Sequence, residues 1–177
     1  FCGSLGKQII NDKISVIEDP FIPSGYASRN YDADGVKVRR SEIISEGILN
    51  EYLLSVYSAR KLGMKSNGHA SGLHNWQINY KNSVKTFDEL LSQVGEGLVV
   101  TDLMGQGVNL MTGDYARGAE GYYFKDGRFV HAVDGTTIAG NLKDMLMNIA
   151  LMAEDYDPRH IVRVGSMVIE GITVSGV

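Results

Sequence analysis

The run Gly121-Tyr-Tyr-Phe-Lys-Asp-Gly-Arg-Phe-Val-His-Ala-Val133 decides the architecture of this chain. Aromatic and β-branched residues flank Asp126-Gly127, a pair that tolerates the positive φ of a two-residue turn. The run therefore predicts an antiparallel hairpin with aromatic cross-strand partners. Asp34-Gly35, Glu46-Gly47 and Glu170-Gly171 mark further turns between β-rich runs. Around Glu46-Gly47 the pattern predicts strands over residues 36–45 and 48–54.

Outside the hairpins, helices are few. Asn141 is a candidate N-cap with Asp144 near the positive end of the helix dipole, and Leu142, Met145, Leu146, Ile149 and Met152 recur at intervals of three and four. That spacing predicts an amphipathic helix over residues 141–153 with one stripe on a sheet. Thr86-Phe-Asp-Glu89 is a capping-box pattern that opens a second helix, ended by Gly95. Residues 55–62 form a third short helix closed by Gly63, with Arg60 and Lys61 near its negative end. These helices lie between groups of strands and do not alternate with them. The order argues for an α+β fold of mostly antiparallel, strongly curved sheets with two or three flanking helices, and against a doubly wound parallel sheet. No internal repeat or low-complexity linker divides residues 1–177, so one domain is expected.

The chain has 177 residues, 44% hydrophobic and 21% charged, the balance of a folded globular protein. Twenty-one glycines against three prolines imply many tight turns. The net charge of -4 supplies no excess cation density for a phosphate backbone, which argues against a nucleic-acid partner. Lys37, Arg39, Arg40, Arg60, Lys61 and Lys65 read as a solvated face or an interface rim. A single cysteine, Cys2, rules out an intrachain disulfide framework and fits a reducing, cytoplasmic setting. The apolar stretch 146–153 is interrupted by Asn148 and falls short of the roughly 18 residues a membrane helix needs, so no membrane partner is expected. The chain opens on Phe1 and has no methionine before Met64, which points to a piece of a longer protein.

Chemistry-bearing motifs are sparse. His69 and His74 flank Gly68 and Gly72 in a loop-like run; their spacing is wrong for one helix face, and no H-E-x-x-H pattern accompanies them. They read as loop or pocket-lining hydrogen-bonding groups, with metal ligation as the alternative. Gly105-Gln-Gly107 lacks both a third glycine at Leu110 and a following G-K-[ST], so it reads as a bend between packed strands and not as a nucleotide loop. No serine sits in a G-x-S-x-G elbow, and Cys2 is too near the chain end to be held against a base. Asp102, Asp114 and Glu120 are carboxylates near glycines, better explained by turns than by acid–base catalysis.

The densest unusual block is Leu103-Met-Gly-Gln-Gly-Val-Asn-Leu-Met-Thr-Gly-Asp-Tyr-Ala-Arg-Gly-Ala-Glu-Gly-Tyr-Tyr-Phe124, followed by Thr137-Ile-Ala-Gly-Asn-Leu-Lys-Asp-Met145. Together these closely resemble the C-terminal domain of the TldD/PmbA family, also called modulators of DNA gyrase. Asp34-Gly-Val36, Tyr57-Ser-Ala-Arg-Lys-Leu-Gly63 and Gly68-His-Ala70 extend the likeness over nearly the whole chain. The resemblance implies a pseudo β-barrel with flanking helices. It also implies a place in a heterodimeric zinc protease that processes peptides such as antibacterial precursors and degrades unfolded or antitoxin-like chains.

In that family only the TldD branch carries zinc, on the two histidines of an H-E-x-x-x-H helix and on a cysteine close to the C-terminus. The helix would lie upstream of Phe1. The stretch matching the cysteine's place, His160-Ile-Val-Arg-Val-Gly-Ser-Met167, contains no cysteine, and Gly113-Asp-Tyr-Ala-Arg-Gly118 resembles the PmbA branch, also called TldE. The resemblance thus implies a subunit with no catalytic residue and no cofactor of its own. Its partner is a TldD-like, zinc-bearing subunit whose substrate channel it completes. Gly105, Gly107, Gly113, Asp114, Tyr115, Arg117, Gly118 and Asn141 are the candidates for conformational or interface roles. For Asp114 and Asn141, turn and helix capping is the alternative. Two other functions stay open: a homodimeric metallopeptidase using His69 and His74 or ligands upstream, and a direct regulator of DNA gyrase.

Overall fold

In a computed structural model whose described residues are 1–176, the chain forms two compact units, one of residues 1–82 and 156–165, the other of residues 83–155 and 166 onward. Each is a mixture of strands and short helices, and together they hold three helices and several antiparallel sheets.

The first unit is built on β1 (Ile14–Glu18), whose side chains alternate with the period of a pleated strand: Ile14, Val16 and Glu18 are buried, Ser15 and Ile17 half-buried. β2 (Ser41–Ser45) and β4 (Trp76–Tyr80) flank it antiparallel, and Val16 stands opposite both Ile44 and Ile78. β3 (Ile48–Leu49) pairs with β2, and β9 (Val162–Arg163) joins β4 in parallel, giving the order β3-β2-β1-β4-β9. The β2–β3 turn is made by Glu46 and Gly47 at φ 44° and 79°, the two positive values expected from that pair. α1 (Val56–Lys61) is capped by Ser55, whose hydroxyl accepts from the Ser58 N–H, and carries Arg60 and Lys61 in its last turn.

The strands around this turn are shorter than residues 36–45 and 48–54. The reason lies in where the backbone groups go. The Leu54 N–H donates to Asn67 Oδ1, and the Leu54 carbonyl accepts from the N–H groups of Asn67 and His69. This segment therefore bonds the 66–69 loop instead of extending a ladder.

The second unit opens with α2 (Phe87–Val94), whose capping box is complete: Thr86 accepts from the Glu89 N–H, and Glu89 accepts from the Thr86 N–H. Gly95 closes it. β5 (Glu96–Met104), β6 (Asp114–Lys125) and β7 (Arg128–Asn141) form a long antiparallel meander, with Asp126 and Gly127 at φ 52° and 71° in the turn. The aromatic partners meet across it, Tyr123 stacked on His131 with ring centroids 5.2 Å apart and Tyr122 against Phe129 at 5.1 Å. Val84, Leu90, Leu91, Phe124 and Ala153 form the core beneath α2.

The predicted helix over 141–153 is corrected. α3 (Leu142–Met147) ends at Asn148, and Ile149–Met152 is a strand, β8, paired antiparallel with β10 (Met167–Ile169). Ile149 and Met152 are buried from the strand, whereas α3 buries none of its residues. Pairing with β10 has overridden the local period, as tertiary context does for short apolar runs. β11 (Thr173–Ser175) completes the sheet β11-β7-β6-β5. No sheet closes on itself among the described residues, so the strand order does not by itself make the pseudo β-barrel that the resemblance implies. In the first unit the edge strands β3 and β9 are only two residues long, too short to carry a ladder around.

Candidate functional site

Three titratable side chains converge in the interior of the first unit. Glu18 ends β1 on its buried face, and His69 and His74 come from the loop between α1 and β4. Their side chains are 0%, 3% and 1% exposed. Glu18 Oε2 lies 2.6 Å from His69 Nε2, while Oε1 lies 3.1 Å from His74 Nδ1 and also accepts from the His74 backbone N–H. The two imidazole centroids are 5.3 Å apart. One donor atom from each of the three residues lies within 4.8 Å of the others.

The surrounding bonds assign the ring nitrogens. Asn67 Nδ2 donates to the Tyr52 carbonyl at 2.8 Å and to Glu51 Oε2 at 3.1 Å, and Asn67 Oδ1 accepts from the Leu54 N–H. Asn67 Oδ1 is thus an acceptor, so at 2.7 Å His69 Nδ1 must donate to it, and His69 Nε2 faces Glu18 with a shared proton between them. His74 donates from Nδ1 to Glu18 Oε1, which leaves its Nε2 as a lone pair. That atom is buried and has no hydrogen-bond partner. Leaving such a group unsatisfied costs about 1–3 kcal/mol. Burial pushes the His74 pKa below its ordinary 6.5; His69 and Arg29 push the same way, and the Glu18 carboxylate opposes them.

The loop is held by its neighbours. Asp32 accepts from the N–H groups of Asp34 and Val36 on Oδ1 and of Ala70 on Oδ2, all at 2.8–2.9 Å. Burial raises its pKa, but these three bonds outweigh it and hold the carboxyl below its usual 3.8. Gly68 has φ 90°, and a Cβ there would lie 3.1 Å from the Lys37 carbonyl oxygen, so the approach of this loop to residues 37–38 requires glycine. Asn75, next to His74, bonds the Ala27 N–H, the Asp19 carbonyl and Ser28.

The candidates of the 103–124 block take structural places in the second unit. Gly105 and Gly107 connect β5 to β6, and a Cβ on Gly107 would lie 1.6 Å from the Ala116 carbonyl oxygen, so this is a close backbone crossing. Asn141 caps α3 by accepting from the Lys143 N–H, Asp114 accepts from the Thr112 hydroxyl, and the two stand opposite one another in the β6–β7 register. Gly113 lies against the Asn141 side chain, Tyr115 pairs with Val108, Gly118 packs on Met104, and Arg117 donates to the Leu103 carbonyl. Leu110 and Met111, between β5 and β6, are 85% and 95% exposed.

Among the basic residues Arg39 is ion-paired with Glu51 and Arg40 with Asp19. Asp102 and Glu120 oppose each other across β5 and β6, and Cys2 is exposed. Sequence reasoning named His69 and His74 but not Glu18, Asp32 or Asn67. The signal for Glu18 was present in the alternation of Ile14-Ser-Val-Ile-Glu18, which puts the carboxylate in phase with Ile14 and Val16.

A family model described as the PmbA/TldA metallopeptidase C-terminal domain matches residues 1–176. The chain is 46% identical over 173 residues to metalloprotease PmbA of Escherichia coli O157:H7, covering 98% of this chain and 38% of that protein. It is 44% identical over 172 residues to a metalloprotease PmbA homolog of Haemophilus influenzae, covering 97% and 38%. A crystal structure of a modulator of DNA gyrase from Bacteroides thetaiotaomicron is similar with a TM-score of 0.90 at 27% identity, covering 98% of this chain and 39% of that one. The chain thus spans 38% of the length of the curated relatives it matches here.

Proposed function

The chain belongs to the PmbA/TldD metallopeptidase family, and we propose that it is the C-terminal domain of a PmbA-like subunit that completes a heterodimeric zinc metalloprotease without itself holding the hydrolytic zinc. The observation that carries this reading is the segment 160–167, which offers no thiol where the zinc-bearing branch of the family has its cysteine. The one cysteine of the chain, Cys2, is exposed at its other end.

The Glu18, His69 and His74 cluster does not stand in for that centre. Hydrolytic zinc keeps a coordination position open to water and substrate, whereas these side chains are shut away from solvent. This argues against a self-sufficient homodimeric peptidase built on the two histidines. A direct action on gyrase and its DNA finds no support in a net charge of -4 with Arg39 and Arg40 paired to carboxylates.

In this reading residues 1–177 work as one functional domain whose curved sheets contribute to a pseudo β-barrel. The substrates are peptides and unfolded chains, the partner is a TldD-like subunit carrying the zinc, and the setting is the cytoplasm. No helix among the described residues is long and apolar enough to cross a membrane.

The test is reconstitution. The full-length parent protein is assayed on denatured casein alone, and then after mixing with its TldD-like partner. No cleavage alone, and cleavage on mixing above that of the partner alone, is the expected result. Cleavage by the parent alone overturns the reading.

A further inference from the structure

The interior of the first unit holds a donor set that the peptidase reading does not use. We propose that Glu18, His69 and His74 bind one divalent transition-metal ion of the zinc class, as a buried structural centre that ties β1 to the 67–75 loop.

Three observations carry the proposal. The first is convergence. One donor atom from each residue lies within 4.8 Å of the others, and donors around a tetrahedral ion with bonds of ~2.1 Å sit about 3.4 Å apart. Binding requires the 2.6 Å contact between Glu18 Oε2 and His69 Nε2 to open, and the widest donor separation, at most 4.8 Å, to close towards that spacing. The second is His74: Nδ1, 3.1 Å from Glu18 Oε1, is the ring nitrogen turned into the cluster, and with the ring proton carried on Nε2, which is buried and has no hydrogen-bond partner, Nδ1 presents its lone pair to the ion. A neutral imidazole with a free ring nitrogen is the form that ligates a metal. The third is outer support. His69 Nδ1–H is given to Asn67 Oδ1, an oxygen whose acceptor role is fixed by three further bonds of the same amide. Such a bond fixes tautomer and ring orientation, and leaves His69 Nε2 directed at Glu18, as in the second shell of metal-bound histidines.

Donor chemistry selects the ion. Two imidazoles and one carboxylate suit the divalent ions of the zinc class, zinc and ferrous iron among them, whereas calcium and magnesium take oxygen ligands and thiophilic centres need sulfur. On binding, the proton in the contact between His69 Nε2 and Glu18 Oε2 leaves to solvent, and the His74 ring proton moves from Nδ1 to Nε2. The fourth position is left to a water molecule. Burial makes this a clamp and not a hydrolytic site.

Elemental analysis of the full-length parent protein, unfolded in chelator, refolded with zinc alone and dialysed free of excess metal, reads the occupancy. About one zinc per chain is expected for the native sequence, and less than about a tenth of that for Glu18→Gln and His74→Gln, each checked for folding by circular dichroism. No zinc in the refolded native protein overturns the proposal, as does full retention by both folded variants. Should the variants fail to fold, refolding the native protein with cobalt alone decides: intense tetrahedral ligand-field bands support the site, and their absence overturns it. Zinc without cleavage leaves both this proposal and the accessory-subunit reading standing. Absence of zinc removes this one only, and cleavage by the parent alone removes the other only.

Discussion

Asp32 is a carboxylate kept ionised in a buried turn by three backbone N–H groups. Asp32→Asn preserves the Oδ1 acceptor for Asp34 and Val36 but turns an amide donor towards the Ala70 N–H. A loss of about 1–3 kcal/mol at neutral pH is expected, measured by urea denaturation. Because the folded pKa lies below the ordinary 3.8, the contribution of the carboxylate is complete above that value and is lost as pH falls below it. The difference between native protein and variant should therefore shrink on moving from about pH 7 to about pH 3, and a constant difference would refute the assignment. At this scale the sequence was least legible. His69 and His74 could be picked out as a loop pair, but Glu18 lies some fifty positions earlier, and only the pleat of β1 turns it towards them. Asn67 fixes a tautomer through contacts with residues 51, 52 and 54, which no spacing rule encodes.

Elements whose signals are local were read well. The β6–β7 hairpin follows from Asp126-Gly127 and its aromatic partners, and α2 from its capping box, because the residues that decide each are neighbours in sequence. β8 was hidden because its fate depends on β10, fifteen or more residues away. The same contrast separates the β5–β6 connection into two parts. Gly107 serves the crossing at Ala116, whereas Leu110 and Met111 stand in solvent with no packing role to explain them. In the accessory-subunit reading they are docking residues. Replacing both by Asp should leave the thermal midpoint of the isolated protein within error, since exposed substitutions usually change stability by less than about 0.5 kcal/mol. Partner-dependent cleavage should fall at least about tenfold, a loss of about 1.4 kcal/mol in productive association. Unchanged cleavage would remove this loop from the interface.

At the scale of the molecule, membership of the family is secured by a match over residues 1–176, and the α+β class by the strand and helix order. The division into two units was not legible, because the first unit is discontinuous: it takes back residues 156–165 after the whole of 83–155 has intervened. The parallel pair β4–β9 is the mark of that return, joining Trp76 to Val162. For a chain emerging from the ribosome, β4 must wait for some eighty further residues before its outer edge is covered. A closure over such a separation is slow, and an exposed strand edge invites pairing with other chains. A nascent chain of the parent protein arrested after Asp155 should therefore be more readily proteolysed in its first unit, and aggregate more, than one arrested beyond Gly165. Pulse proteolysis of the two stalled products, giving equal protection, would show that the late strand is dispensable. On that expectation the vulnerable interval in the life of this chain lies before β9 is made, and it is there that a chaperone would be needed most.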